Sequence, residues 1–414
     1  MPRSPSVRNV AVLGTSDSAV LGVVDSISGR EASVEAFDSL IVRRMVHQRH
    51  EICFVVVPPT LAHADLALSV TDTALFLVSA AVDAESIDHK LAALWDFCAE
   101  KDLARVIVLT DTDAPDADFE DAIMHCQAQF DEVAAIAATH LPLLADDAGV
   151  AGLIDLISLV ISDYSEGEPQ SRQAVPAHID VVADDRNLLV EAILMEADDF
   201  ELFESFLSGD TIDAQVLRAQ LAINVRRGRL HPVLFQAAAP AGFGRIELLD
   251  LLVSACPEPQ QRHLPSVTSV DGQNLSPLEG TTQESFVGVI VAVESRATGD
   301  HKGELNADVR IFAGEVRTGD VVSIIPADYA RNEESPELSK KDTATVAELV
   351  QNNADVSRIP QAGPGEIIGM KLTGSRISAR AAVGATLSSA QGPLIASIES
   401  APGALTIAPI SLIQ

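Results

Sequence analysis

Asn9-Val10-Ala11-Val12-Leu13-Gly14, followed by Thr15-Ser16-Asp17-Ser18-Ala19-Val20-Leu21, is a short apolar run that ends in glycine and leads into a plausible helix. Three further runs of the same kind lie downstream: Ile52–Val57 (ICFVVV), closed by Pro58 and Pro59, Ala74–Ala80 (ALFLVSA) and Arg105–Thr110 (RVIVLT). Each is continuously apolar, as strands buried on both faces are. Between them the spacing turns helical. In Ser86–Lys101, Ile87, Leu91, Leu94 and Phe97 fall on one stripe. Alternating strands and helices predict a doubly wound α/β domain.

The helical period continues over Asn187–Asn224, where Leu189, Ile193, Ala197 and Phe200 recur on one side until Gly209-Asp210 breaks the run. His231–Ala237 (HPVLFQA) reads as another strand and Ile246–Val253 as a helix stopped before Pro257. Pro257–Glu284 is rich in Pro, Gln, Ser and Thr and reads as a linker. Beyond it come Val/Ile-rich runs bounded by Gly and Asp: Phe286–Ser295, Leu305–Phe312, Asp320–Ile325 and Ala344–Val350. Short strands at such spacing predict a small β-barrel, with Ala327–Lys341 a polar loop between two of them.

Composition narrows the partners. The chain has 414 residues, too many for one compact domain, and 47% of them are hydrophobic. Aromatics make up only 4%, so Ala, Val, Leu and Ile must build the core. The formal net charge is −32, from 28 basic against 60 acidic residues. Nucleic-acid binding draws most of its affinity from Lys and Arg that displace counterions, so unspecific nucleic-acid binding is not expected. Cys53, Cys98, Cys126 and Cys256 are scattered without metal-ligand spacing and read as buried, reduced thiols of a cytoplasmic protein. The start MPRSPSVRNVAVLG has no apolar signal core, and the longest apolar run is half of the roughly 20 residues a bilayer span needs. No membrane segment is expected.

Gly14–Leu21 sits where a phosphate-binding loop G-x-x-x-x-G-K-[ST] would sit. Gly14 is present, but Ala19, Val20 and Leu21 replace the second Gly, the Lys and the hydroxyl residue. The Gly would let backbone amides close on phosphate, the Lys would neutralise it and the hydroxyl would ligate Mg²⁺. On this motif alone the residues read as an ordinary β-turn-α connection. Asp111, Asp113, Asp116 and Asp118 superficially resemble a Ca²⁺ loop. Asp116 stands where that loop needs Gly and Ala122 where it needs Glu, so an acidic helix start is the better reading. His125-Cys126 are adjacent helical residues that do not face each other, and an inert thiol is expected.

The order of these features resembles elongation factor G, in particular the elongation factor G-like paralogue of bacteria. Ile52–Pro59 stands where the family has a strand ending D-T-P-G, and Thr71–Ala80 is similar to its A-D-A-A-L-F-V-V-S-A run. Val106–Ile123 resembles the strand, the [NT]-K-x-D motif and the helix after it. Leu141–Val160, Leu189–Leu221 and Arg227–Pro259 resemble the insert, the long helical stretch, and the strand, base-contacting loop and last helix. Val309–Val322 is similar to the second domain's R-V-F-S-G-x-L-x-x-G-D-x-V. Ala344–Val350, Ile359–Leu372 and Val383–Ser389 resemble its remaining barrel strands, and Pro393–Ser400 the strand that opens the third domain. Counting the remaining barrel strands as one, nine such segments in the correct order cover nearly the whole chain.

The resemblance implies a GTPase-like (G) domain over residues 1–260 with a helical insert around 140–176. A linker over 261–284, a translation-factor-type β-barrel over 285–390 and the start of a shortened third domain over 391–414 would follow. Residue by residue, most of the family's site is absent. Val56 replaces the Asp that holds Mg²⁺ through water, and Pro59 has no N–H for the γ-phosphate. Thr60 takes the place of the catalytic His, and the role does not pass to nearby His63. No Thr between Leu21 and Ile52 matches the one that closes over Mg²⁺. Asp113 keeps the carboxylate for the guanine N1 and N2 donors, while Asp111 replaces the Lys that packs on the base. Gln236-Ala237-Ala238-Ala239 resembles the S-A-x loop, with Ala238 supplying a backbone N–H. The degenerate nucleotide site therefore comprises Gly14, Asp17, Asp113, Gln236, Ala237 and Ala238. Neither catalytic nor metal-ligating residues are expected, and GTP or Mg²⁺ only as residual binding. The reading is a non-hydrolysing pseudo-GTPase whose partner is the ribosome or a translation factor. A GTPase that binds nucleotide weakly through Asp113 and Gln236–Ala239 is the alternative.

Overall fold

The structure is a computed structural model. It describes residues 6–29, 40–57, 64–81, 87–114, 116–130, 135–144, 150–165, 169–197, 199–237, 242–262, 264, 267–269, 278–293, 303–326, 342–352, 356–374, 377, 382–390 and 395–398. Contacts divide the chain into two compact units. The first comprises Met1–Asn9, Phe37–Asp72 and Glu258–Gln414, and the second Val10–Ala36 and Thr73–Pro257.

In chain order the first part runs β1 (Val7–Leu13), α1 (Asp17–Ser28), β2 (Ile41–His47), β3 (His50–Val56), α2 (Ala64–Val70), β4 (Thr73–Ser79), α3 (His89–Glu100), β5 (Ala104–Thr110), α4 (Phe119–Gln129) and β6 (Ile136–Ala138). Next come the short strands β7 (His140–Leu144), β8 (Val150–Asp155), β9 (Val160–Asp163) and β10 (Gln170–Gln173). Then follow α5 (Pro176–Val181), α6 (Ala183–Met195), α7 (Phe200–Leu207), α8 (Ala214–Arg226), β11 (His231–Phe235) and α9 (Arg245–Ser254). The main sheet has the order β2-β3-β1-β4-β5-β11-β6. β1–β4, β4–β5, β5–β11 and β11–β6 are parallel, and β2–β3 is an antiparallel hairpin. Every residue of β1, β5 and β11 is buried, as the apolar runs require. The expected insert opens as an antiparallel sheet, β10-β9-β8-β7, and α5 to α8 follow it.

Part of the large acidic complement works locally. Asp88, Asp118, Asp199 and Asp213 are the N-caps of α3, α4, α7 and α8, each accepting a backbone N–H of the first turn that would otherwise lack a partner. Asp118, one of the four acids of the Ca²⁺-like pattern, is thus a cap. The core of the second unit gathers around Trp95, which is 1% exposed. Phe130 stacks on it at 4.1 Å, Phe76 and His231 meet it edge-on at 5.0 and 4.9 Å, and the Arg105 guanidinium lies 4.5 Å from its ring centre. Each such aromatic pair contributes about 0.5–1.5 kcal/mol beyond its buried area.

The first unit carries the barrel. Its strands are β12 (Val267–Ser269), β13 (Val287–Val293), β14 (Glu304–Ala313), β15 (Val316–Arg317), β16 (Val321–Ile325), β17 (Asp342–Asn352), β18 (Val356–Ile359), β19 (Gln361–Ala362), β20 (Ile367–Thr373), β21 (Thr386–Ser389) and β22 (Ile395–Ile398). In the order β16-β21-β13-β14-β20-β17-β18 the first six strands close on themselves through β16–β17, with β18 added beside β17 at the rim. Ile290, Val309, Ile311, Val346, Leu349, Leu372 and Leu387 fill its interior. β22, expected to open a third domain, pairs antiparallel with β12 from the predicted linker. The predicted loop Ala327–Lys341 lies outside the described residues. None of the four cysteines is in a disulfide and all are buried, and burial pushes the Cys126 thiol up to about 12, which keeps it protonated beside His125. Among the described residues no helix is long and apolar enough to cross a membrane.

Candidate functional site

Parallel strands put the carboxyl ends of β1, β4, β5 and β11 on one edge of the sheet, where doubly wound sheets bind ligands. Gly14 follows β1 on that edge, and α1 begins three residues later. Only Thr15 and Ser16 lie between Gly14 and the helix, too few to wrap a phosphate. The Val20 N–H donates to Ser16 O at 3.0 Å, an ordinary helical bond, so it does not face a ligand. Val20 and Leu21, at the positions of the phosphate Lys and the Mg²⁺ hydroxyl, are 0% and 2% exposed. A Cβ placed on Gly14 would lie 2.6 Å from Val20 Cγ2, so the valine methyl occupies the space over the glycine. Asp17 opens the helix.

On the base side the sequence-predicted residues do converge. Gln236 continues β11, its N–H bonded to Leu109 O at 2.8 Å. Thr112 donates through Oγ1 to Gln236 O at 2.9 Å, tying Thr110-Asp111-Thr112-Asp113 to Gln236-Ala237. Asp113 is exposed on the turn after β5. Asp111 has a positive φ of 56° and accepts from Ser79 Oγ at 2.8 Å and Thr110 Oγ1 at 3.1 Å, so it serves as a local turn anchor. Gln236 is buried, and its Nε2 has no hydrogen-bond partner among the described residues. Gly244, at φ 72°, lies against this segment, because a Cβ there would come within 1.8 Å of Phe235 O. Ala238, Pro58, Pro59, Thr60 and His63 lie outside the described residues. Val56, in the other unit, is 0% exposed. Among the described residues no three His, Cys, Asp or Glu side chains gather closely enough to hold a metal ion. The Thr112–Gln236 bond carried no sequence signal, since neither residue belongs to a motif that demands the other.

No protein-family model matches the chain. It is 28% identical over 257 residues to an elongation factor G-like protein of Mycobacterium tuberculosis strain H37Rv, a match covering 62% of this chain and 34% of that protein. The chain is a relative of elongation factor G. This elongation factor G relative is also 24% identical over 266 residues to an elongation factor G 2 of Hahella chejuensis and 25% identical over 268 residues to that of Treponema pallidum. Each of those matches covers 63% of this chain and 37% of the other protein, so the chain spans about a third of the curated relatives it matches. A crystal structure of a Thermus thermophilus protein superposes with a TM-score of 0.68 at 19% identity, covering 94% of this chain and 55% of that one. That likeness concerns the fold: a parallel-sheet G-domain-like core and an antiparallel barrel.

Proposed function

We propose that this elongation factor G relative is a non-hydrolysing pseudo-GTPase, a binding module of the translation apparatus with the ribosome or a translation factor as its partner. The observation that carries the reading is the burial of Val20 and Leu21. The two positions that would meet phosphate and Mg²⁺ are core residues, and the N–H of Val20 is spent inside α1. A phosphate brought to this edge would meet neither a lysine nor a cradle of free amides at these positions, and the −32 net charge would repel it. The barrel, which resembles the part of the family that contacts the small ribosomal subunit, supports the choice of partner.

Two measurements test it. The first is the melting temperature with and without GTP and Mg²⁺, since ligand at about 100 times its Kd adds roughly 2.7 kcal/mol. The second is co-sedimentation with ribosomes. The expected outcome is no GTP-dependent shift and nucleotide-independent sedimentation with ribosomes. A GTP-dependent shift of several degrees, or multiple turnover of GTP, would remove the pseudo-GTPase reading. Failure to sediment in every nucleotide condition would remove the ribosome. A second reading, weak guanine binding, is favoured by one feature: the Thr112–Gln236 bond ties the turn that carries Asp113 to a buried Gln236 whose Nε2 has no partner among the described residues. Guanosine alone would then protect the chain as well as GTP does.

A further inference from the structure

α2 is a short helix that follows the strand standing where the family carries its γ-phosphate sensor. In switching GTPases, segments of this kind are ordered by the γ-phosphate and released on hydrolysis. Here α2 is held by groups that have no connection with nucleotide. Its inner face, Ala64, Ala67, Leu68 and Val70, is buried, and it lies against β13 of the barrel. The last carbonyls of a helix have no intrahelical donor. In α2 they are met by Arg262, whose guanidinium donates to Leu68 O and Ser69 O at 3.3 Å each and to Thr71 O. A cation there also complements the negative end of the helix dipole.

The next residue is fixed more firmly. Asp72 is 1% exposed and pairs with Arg310 of β14, also 1% exposed, at 3.0 Å. Arg310 also donates to Gly365 O at 2.6 Å. Asn9 completes the set, its Nδ2 donating to Asp72 Oδ2 at 2.7 Å and to Gly365 O at 2.9 Å. A second pair follows the same plan. Arg44 of β2 meets Asp308 of β14 at 2.6 Å and donates to Ile367 O at 3.0 Å. Every one of these residues belongs to the first unit. A buried pair is separated only by leaving a charge without its partner in a dry interior, so such a junction does not slide.

We infer that α2 is a permanently fastened element, pinned to the barrel through Arg262 and the Asp72–Arg310–Asn9 cluster, so that the first unit presents one surface to a partner whatever nucleotide is present. This deepens the pseudo-GTPase reading: the helix that would have relayed nucleotide state is tied down. Arg262 and Arg310 are positioning residues.

Hydrogen exchange followed by mass spectrometry on the full chain tests it. Peptides spanning residues 64–72 should exchange slowly without nucleotide and at the same rate with GTP or GDP and Mg²⁺. Arg262→Ala should speed exchange in 64–72 by about tenfold or more and leave β5 in the second unit unchanged. Arg262→Lys, which keeps the charge, should restore part of the protection. Arg310→Met is the stronger perturbation; if it prevents folding, Arg262→Ala carries the test. A nucleotide-dependent change over 64–72 in the unaltered chain, or unaltered protection in Arg262→Ala, would overturn the inference. Calorimetry separates the two readings. GTP binding with unchanged exchange at 64–72 sinks the pseudo-GTPase and leaves the clamp, whereas no GTP binding with unaltered Arg262→Ala protection sinks the clamp alone.

Discussion

Restoring the phosphate lysine offers the sharpest test of the site. In the variant Val20→Lys/Leu21→Thr the two motif residues return to a helix whose geometry is otherwise kept. Val20 is 0% exposed and Leu21 2%, so both substitutions enter the core. Losing a buried Val side chain costs about 1.5–3 kcal/mol, and an ammonium that cannot reach water adds several more. A total near 5 kcal/mol follows. The unit holding α1 has roughly 200 residues, a size for which 1 kcal/mol shifts the melting temperature by about 2–4 °C. The variant should therefore melt roughly 10–20 °C lower and still bind no GTP by calorimetry. A variant that melts within about 3 °C of the parent and binds GTP with micromolar affinity would show that Gly14–Leu21 is a competent phosphate loop, and the reasoning would fail.

Three further outcomes are expected. Burial, reinforced by the Arg105 guanidinium, holds His231 well below the usual histidine range, so it is neutral when folded. The unfolded chain protonates it near 6.5, so its contribution is intact above that pH, and about 1.4 kcal/mol is lost per unit as pH falls below it until the folded imidazole itself titrates. Melting curves between pH 4.5 and 8 should show this acid-side loss flattened in His231→Phe. Gly244→Ala forces a left-handed φ of 72° on alanine and drives its Cβ into Phe235 O, so it should cost about 3 kcal/mol or more, read from the urea midpoint. Tyr164→Phe removes the 2.6 Å hydrogen bond from Tyr164 Oη to the buried Glu247 and should cost about 1.5–3 kcal/mol, with Glu247→Leu in the same chain recovering part of it through coupling.

The parallel strands were legible because burial on both faces writes itself as unbroken apolar runs. The hairpin β2–β3 was not. Its two-residue turn is Gln48-Arg49, both at positive φ (47° and 70°), where such turns ordinarily carry Asn-Gly. The four-stranded insert sheet was equally hard to see, since β10 is exposed at every residue and has no apolar alternation. At the candidate site, residue identities revealed which groups were missing but not where their replacements went. That Val20 and Leu21 turn inward follows from the helix beginning at Asp17, a boundary that substitution alone does not mark. The Asp72–Arg310 and Arg44–Asp308 pairs join residues more than two hundred positions apart, beyond the reach of any local pattern.

The aromatic cluster around Trp95 has a consequence for optical measurements. Trp95 is the chain's single tryptophan, so its emission reports only on the second unit. Enclosed by Phe130, Phe76, Arg105 and His231, the indole should emit at short wavelength while that core is intact and shift to the red when water enters. The barrel unit contains no indole, and its melting leaves this signal untouched except through the second unit's own response. Fluorescence reads the second unit alone and far-ultraviolet dichroism sums both, so a dichroism change outside the fluorescence transition on one sample would show that the two unfold independently.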